Sequence, residues 1–376
     1  MNKVKYILPI LSISFGLSFV SCEKGEETPT LTNPGPSTYT FTRDGESSVS
    51  YSGQTERIAM LNAIGTELAK VNTGGSIEAS TLNDMFANEN GAFATEGYTK
   101  DLKSKCASVE DQAFYSNLFS VTDSISKLNH TAAKGTAGLL LKSNSTSGYL
   151  LNENGLEMRQ IILKGLMGSV FYYRAIEEYM GVEINSDDNS NLVEGKNYTQ
   201  MEHHYDEAFG YVGIATDLNN FDTDAKDQTR GMFWGEYIIK RHSTDDNFAM
   251  PGVNSQFLGA IIAGRHAITL KDYATRDAAI KTVSRLWEEV CLNNALSYLE
   301  DAKTDTDPAA KFHHLSEAIG FLVAMNGHVG GSSSNALHPR TIAQSKVDAA
   351  LAIVGLNTQL WDLSNAEIDS AIAIFN

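Results

Sequence analysis

The run His203-His204-Tyr205-Asp206-Glu207-Ala208-Phe209-Gly210-Tyr211 returns in outline as His313-His314-Leu315-Ser316-Glu317-Ala318-Ile319-Gly320-Phe321. Paired imidazoles, a carboxylate, an alanine, a glycine and an aromatic ring keep their order and spacing. On a helix advancing about 100° per residue, Glu207 projects between His203 and His204, and Glu317 between His313 and His314. The other faces carry Tyr205, Phe209 and Val212, or Leu315, Ile319 and Leu322. Both helices are therefore apolar on two sides, and each His–Glu group is expected to be at least partly buried.

A buried glutamate must be neutralised, paired or metal-bound, which leaves three chemistries open. In the first, the clusters are structural, each Glu accepting from its own His, a backbone group or an Arg. Arg159, Arg174, Arg265 and Arg276 lie on neighbouring predicted helices and could supply the charge. In the second, imidazole and carboxylate hold Fe, Zn or Mn. If the two helices face each other, His204, Glu207, His314 and Glu317 would be the ligands, supported by His203 and His313. Carboxylate-bridged di-metal bundles use a similar pairing in the order ExxH. In the third, a Glu acts as base beside a metal-bound water, although the HExxH motif of zinc peptidases is absent.

The elements that must position these groups are helical. Ile58, Leu61, Ile64, Leu68 and Val71 recur at helical spacing over 54–72, closed by Gly74-Gly75. A second amphipathic helix is expected over 109–133. Residues 154–180 are apolar nearly all round, as in a central helix, and Gly165 and Gly168 would let a neighbouring backbone come close. Over 276–303 a three–four stripe runs from Ile280 to Leu299. Asp307-Pro308 is an N-cap followed by proline in the first turn, opening a helix to about Asn326. Gly327 to Asn335 is a Gly/Ser loop, and helices over 340–354 and 364–375 close the chain. Everything after Ser52 reads as helix. Tyr39 to Arg43 and Val49 to Tyr51 alternate as a short β or extended lead-in. The expectation is an all-α body of about ten helices in packed bundles, with a possible internal duplication.

The chain begins with a different kind of segment. Lys3 and Lys5 precede an apolar run from Ile7 to Val20, and Ser21 precedes Cys22. Residues 1–21 read as a secretory signal. The cysteine at the cleavage point resembles the lipobox of bacterial lipoproteins, with Phe19 where that pattern usually has Leu. The resemblance implies a lipid on Cys22, hence a membrane partner. Residues 22–38 read as a polar Pro/Gly tether, leaving 39–376 as the body. Acidic residues directly after Cys22 resemble the signal that sends some Gram-negative lipoproteins to the outer face. An outer-membrane anchor facing periplasm or cell surface is the expected location.

The formal charge is −17. Without Lys3 and Lys5, 27 basic residues stand against 46 acidic ones, so the processed chain is near −19 and repels phosphate backbones. Nucleic acid is therefore excluded as a natural partner. Cys106 and Cys291 remain after Cys22. Export permits a disulfide, but Cys291 lies on an apolar stripe and is expected to be a buried thiol. The absence of CxxC leaves no thiolate metal motif. The polar loops at Asn185–Asn191 and Asp217–Asp227 lack the EF-hand glycine and closing glutamate, and read as solvated linkers. No GxSxG, GxGxxG or Walker motif is present. Trp234 and Trp361 read as core, and His130, His242, His328 and His338 as surface or loop residues.

Tyr39-Thr-Phe-Thr, Tyr51-Ser-Gly-Gln-Thr-Glu-Arg57 and the turns Asp206–Tyr211 and Ser316–Phe321 resemble the domain-of-unknown-function 4856 family of bacterial lipoproteins, over nearly the whole processed chain. His204-Tyr-Asp-Glu207 is also similar to the GxHxxE signature of imelysin-like proteins, which are helical, envelope-associated and linked to iron uptake. Glu202 replaces the signature's glycine, and Gly264-Arg265-His266 ends in Thr269 where the signature has Glu. That resemblance implies a ligand-binding module in uptake, of iron or another metal species, with an outer-membrane uptake partner. A structural or interaction lipoprotein with no small ligand is the alternative, and a metal-dependent peptidase the third reading.

Overall fold

In the computed structural model, residues 35–217, 232–326, 328–330, 337–338 and 340–376 are described. The signal, Cys22, all but the end of the tether, and most of the loops Asp217–Asp227 and Gly327–Asn335 lie outside these residues.

The lead-in is a strap laid along the helices. Strands β1 (Thr42–Arg43) and β2 (Glu46–Ser47) pair antiparallel. Asp44 and Gly45, both at positive φ, make the tight turn between them. The second strand therefore falls earlier than the expected Val49–Tyr51. The Tyr39 N–H donates to the Thr216 carbonyl at 2.7 Å.

Helix α1 (Ser52–Ala69) buries Ile58, Leu61, Ile64 and Leu68, and its terminal turn stops at Gly74 with φ 81°. Then come α2 (Ala79–Ala87) and α3 (Val109–Ser126), the latter capped by the Ser108 hydroxyl accepting from the Asp111 N–H. The helix expected to reach 133 ends at Ser126. An antiparallel hairpin follows, β3 (Gly138–Leu141) with β4 (Gly148–Leu151), in register Gly138 opposite Leu151. A wholly helical body after Ser52 is thus corrected. Four-residue apolar runs carry no period that separates strand from helix. The polar Lys142–Ser147 turn, with Asn144 at φ 56°, is what folds them back on each other.

Helix α4 (Met158–Leu166) continues without a break as a π-helical stretch, Met167–Val182. This is the nearly all-apolar segment of the sequence, and it is central. Its first half packs on α9 (Pro308–Met325) and its second half on α5 (Gln200–Val212). A Cβ on Gly168 would come within 3.0 Å of the Ala324 Cα, so this glycine permits the close backbone approach expected of it. Gly165 instead makes room for the Tyr115 side chain.

Helices α6 (Trp234–Ser243), α7 (Val253–Leu270) and α8 (Tyr273–Thr304) complete the middle, and α10 (Gln344–Val354) and α11 (Asn365–Ala373) the end. The long α8 is flanked by α7 on one side and α9 on the other. Trp234 and Trp287 meet edge to face inside the core. Among the described residues the body is mostly helical with two small hairpins. Among the described residues no helix is long and apolar enough to cross a membrane.

Candidate functional site

Each motif helix starts at a strong cap. Thr199 and Glu202 form a reciprocal capping box on α5, and Asp307 with Pro308 opens α9. These caps fix where the helices begin, and so which way the histidines point.

The two turns then make equivalent contacts. Tyr198 stacks on His203 at 4.5 Å between ring centroids, and Tyr149 on His313 at 4.1 Å. His204 Nδ1 is 2.8 Å from an Asp187 oxygen, and His314 Nδ1 is 2.8 Å from an Asp305 oxygen. Tyr179 lies over His204 and Tyr211, as Tyr298 lies over His314 and Phe321. Asp206 accepts from the Ser50 N–H just before α1, and the Ser316 hydroxyl accepts from the Glu157 N–H just before α4. A Cβ on Gly210 would press on Tyr51 and Gln54, and one on Gly320 on Gln160 and Lys164. The same turn is therefore built twice, α5 against α1 and α9 against α4, and the duplication extends to the partner helices.

The pairings within each turn differ from those expected. Glu207 lies 3.9 Å from His203 Nε2, and Glu317 lies 3.6 Å from His313 Nε2. His204 and His314 turn away to Asp187 and Asp305. The Asp187 hydrogen bond and the charges of Asp187, Glu183 and Glu207 raise the His204 pKa against the lowering effect of burial. Burial lowers that of His203. The two turns share none of their side-chain partners, so the four expected ligands do not form one centre. Among the described residues no group of three or more His, Cys, Asp or Glu side chains is placed to hold an ion.

The groups that compensate the acids were mostly not anticipated. In the first turn Glu207 accepts from the Gln54 amide at 2.8 Å. Arg265 serves its neighbours instead, Asp206 at 2.8 Å and Glu202 at 3.0 Å, with all three side chains buried. Tyr39 donates to Asp206, and Arg43 of the strap to Glu202. Burial pushes the Asp206 carboxyl up to about 6, against the Arg265 charge and the Arg265, Tyr39 and Ser50 hydrogen bonds, which pull it down. Arg174 and Arg276 bond backbone carbonyls and acids of their own, away from both Glu207 and Glu317.

In the second turn the compensating charge is Lys164 of α4, with Nζ 2.6 Å from Glu317. Their side chains are 5% and 9% exposed. Burial alone would raise Glu317. Lys164, helped by His313 and Lys240, overrides it and holds the carboxyl well below the usual range. Burial alone would lower Lys164, and Glu317 raises it. His313 is tied through Nδ1 to Glu157 at 2.6 Å.

A pocket of about 380 Å³ opens directly onto this second cluster. Lys164, His313 and Glu317 line it. Gly65 and Thr66 of α1, Arg159 and Leu163 of α4, and Phe233 and Tyr237 around α6 form its walls. No pocket described in the structure is lined by His203, His204 or Glu207.

The model of one protein family matches residues 36–373, which is nearly the entire described body. The chain belongs to the family described as domain of unknown function (DUF4856). Neither the curated proteins nor the solved structures contain a match to it. In this member of the family, Cys106 and Cys291 are both buried free thiols. Trp234 is core, and Trp361 packs on Phe312. His338, expected at the surface, is fully buried with Nε2 2.9 Å from Glu177, and His328 is 3.1 Å from Asp111.

Proposed function

We propose that this chain is a lipid-anchored envelope protein whose helical body is a non-catalytic binding module in uptake, with the pocket over Lys164 and Glu317 as its binding site. The observation that carries this reading is the asymmetry of the two clusters. In the first, the acids are met by Gln54, Arg265, Arg43, Tyr39 and backbone groups, and none of the described pockets is lined by its histidines or Glu207. The second carries a full buried charge pair in the lining of a pocket large enough for a small organic molecule. The leader with Cys22 supports the anchor and an outer-membrane address, and the likeness of His204 and Glu207 to the imelysin signature supports an envelope role.

A bare iron or zinc ion does not suit the second cluster. Lys164 occupies the Glu317 carboxylate, and its charge would repel a metal cation placed there. The first cluster favours the other reading, a structural lock, since His203 and His204 are each engaged by protein groups.

The binding reading is tested by adding a library of small organic fragments to the full chain in detergent and mapping amide shift changes. Changes are expected to gather at Thr66, Arg159, Tyr237 and His313. Fragments that bind only elsewhere, or none that bind, would overturn it. The anchor is tested by metabolic labelling with palmitate, which Cys22→Ala should abolish.

A further inference from the structure

Arg159 stands on the wall of this pocket with its guanidinium half used. Its Nε donates to the Gly65 carbonyl at 3.2 Å. That bond sets the plane of the group against α1. Its two terminal nitrogens have no hydrogen-bond or ion-pair partner among the described residues. The other charges that line the pocket are engaged. Lys164 and Glu317 hold each other, and Glu236 is not without a partner. His313 is tied to Glu157 behind it. Lys240, which lies near Glu317, sits with its ammonium 3.8 Å from the centre of the Tyr298 ring. Asn62, Thr66 and Gln160 add neutral polar groups to the lining, and Ala69, Leu163, Met167, Phe233 and Tyr237 give it an apolar and aromatic side.

A planar guanidinium anchored by Nε presents two parallel N–H donors, the geometry that carboxylates satisfy in bidentate fashion. The apolar wall beside it suits a flat or aliphatic body of the same molecule. Resting on the binding reading above, we propose that the pocket takes a small organic carboxylate, its carboxylate on the Arg159 fork and its apolar body along Leu163, Phe233 and Tyr237. The strong net negative charge of the chain disfavours anions over the surface generally, so a local guanidinium is what would make such binding specific.

The test is calorimetric titration of the full chain in detergent with benzoate, and in parallel with benzamide and benzylamine, which keep the ring and change the charge. Benzoate should bind more tightly than either. Arg159→Gln should weaken benzoate by about tenfold or more, the scale of a lost charged hydrogen-bond pair, and leave benzamide unchanged. Arg159→Lys, which keeps the charge and loses the fork, should fall between. An unchanged thermal midpoint in both variants establishes that they fold. Benzamide or benzylamine binding in the pocket as well as benzoate does, or benzoate affinity indifferent to Arg159→Gln, would overturn the carboxylate assignment and leave the module reading standing. No binding by any of the three would overturn the carboxylate assignment, while the broader fragment mapping decides the module reading separately.

Discussion

Lys164 Nζ and Glu317 Oε1 meet 2.6 Å apart, from two different helices, with almost no solvent on either side chain. Removing one member of a buried pair leaves the other charge uncompensated, at a cost of about 3–5 kcal/mol, whereas removing both can be nearly neutral. Lys164→Met alone should therefore destabilise strongly, and Lys164→Met/Glu317→Leu much less. Urea unfolding of the single and double variants measures this directly. A loss in the double variant equal to the sum of the separate Lys164→Met and Glu317→Leu losses would mean that the pair is not coupled.

Glu317 also gives the chain a signed pH dependence. Its folded pKa is lowered from 4.5. The folded state then binds fewer protons than the unfolded one, so stability is present above pH 4.5 and is lost as pH falls through the folded value toward about 2. The stability gap between the wild type and Glu317→Gln should be constant from pH 5 upward to about 8 and shrink steadily below that window. Urea midpoints across pH would show it, and a gap that widens on acidification would contradict the direction.

The two histidines of the first turn should titrate on opposite sides of 6.5, the ordinary value for the side chain. His204 is raised, so its contribution to stability is full below 6.5 and is lost as pH rises through its folded pKa. His203 is lowered and should be neutral at pH 7. Ring-proton NMR titration reads both. Asp187→Asn should bring the His204 midpoint down and move that of His203 little.

Arg265 answers two buried acids at once, while Arg43 reaches Glu202 from a partly exposed position. Arg265→Leu is expected to cost about 3–5 kcal/mol by leaving Asp206 and Glu202 short of their shared charge. Arg43→Leu should cost much less, because Arg265 still holds Glu202. Thermal or urea unfolding ranks the two, and the reverse order would refute the network as described.

Cys106 and Cys291 should be silent to thiol reagents until the chain unfolds. Burial pushes the Cys106 thiol up to about 12 and raises Cys291 well above its usual value, so neither supplies thiolate at pH 8. Labelling with an aromatic disulfide should be negligible in the folded chain and complete in denaturant. Fast native labelling at either position would contradict the burial.

The sequence alone carried the doubled turn, because spacing on one helix is local information. It also placed the core face of α1, the cap at Asp307-Pro308 and the central position of the 154–180 segment. What it hid were the partners. Lys164 lies amid Ile161, Ile162, Leu163, Leu166 and Met167, and a lone lysine on such a helix was the available sign that an acid waited for it. Its acid is 153 residues further on, a distance that no periodicity bridges. Asp206 stood inside the motif, but its donors Tyr39 and Arg265 come from the strap and α7. Asp187 sat in a segment that read only as a linker, and Asp305 lies at the C-cap of α8, outside either motif. The β3–β4 hairpin escaped because its strands are too short to show a period.

The central claim is that Glu317 is neutralised within the protein by Lys164, leaving an organic pocket above the pair with no ion in it. Elemental analysis of the full chain, purified without a metal-affinity tag, tests this most directly, alongside the same measurement on Glu317→Gln and His204→Ala. The account predicts no stoichiometric iron, zinc or manganese in any of the three. One equivalent of metal in the wild type that Glu317→Gln removes would contradict it.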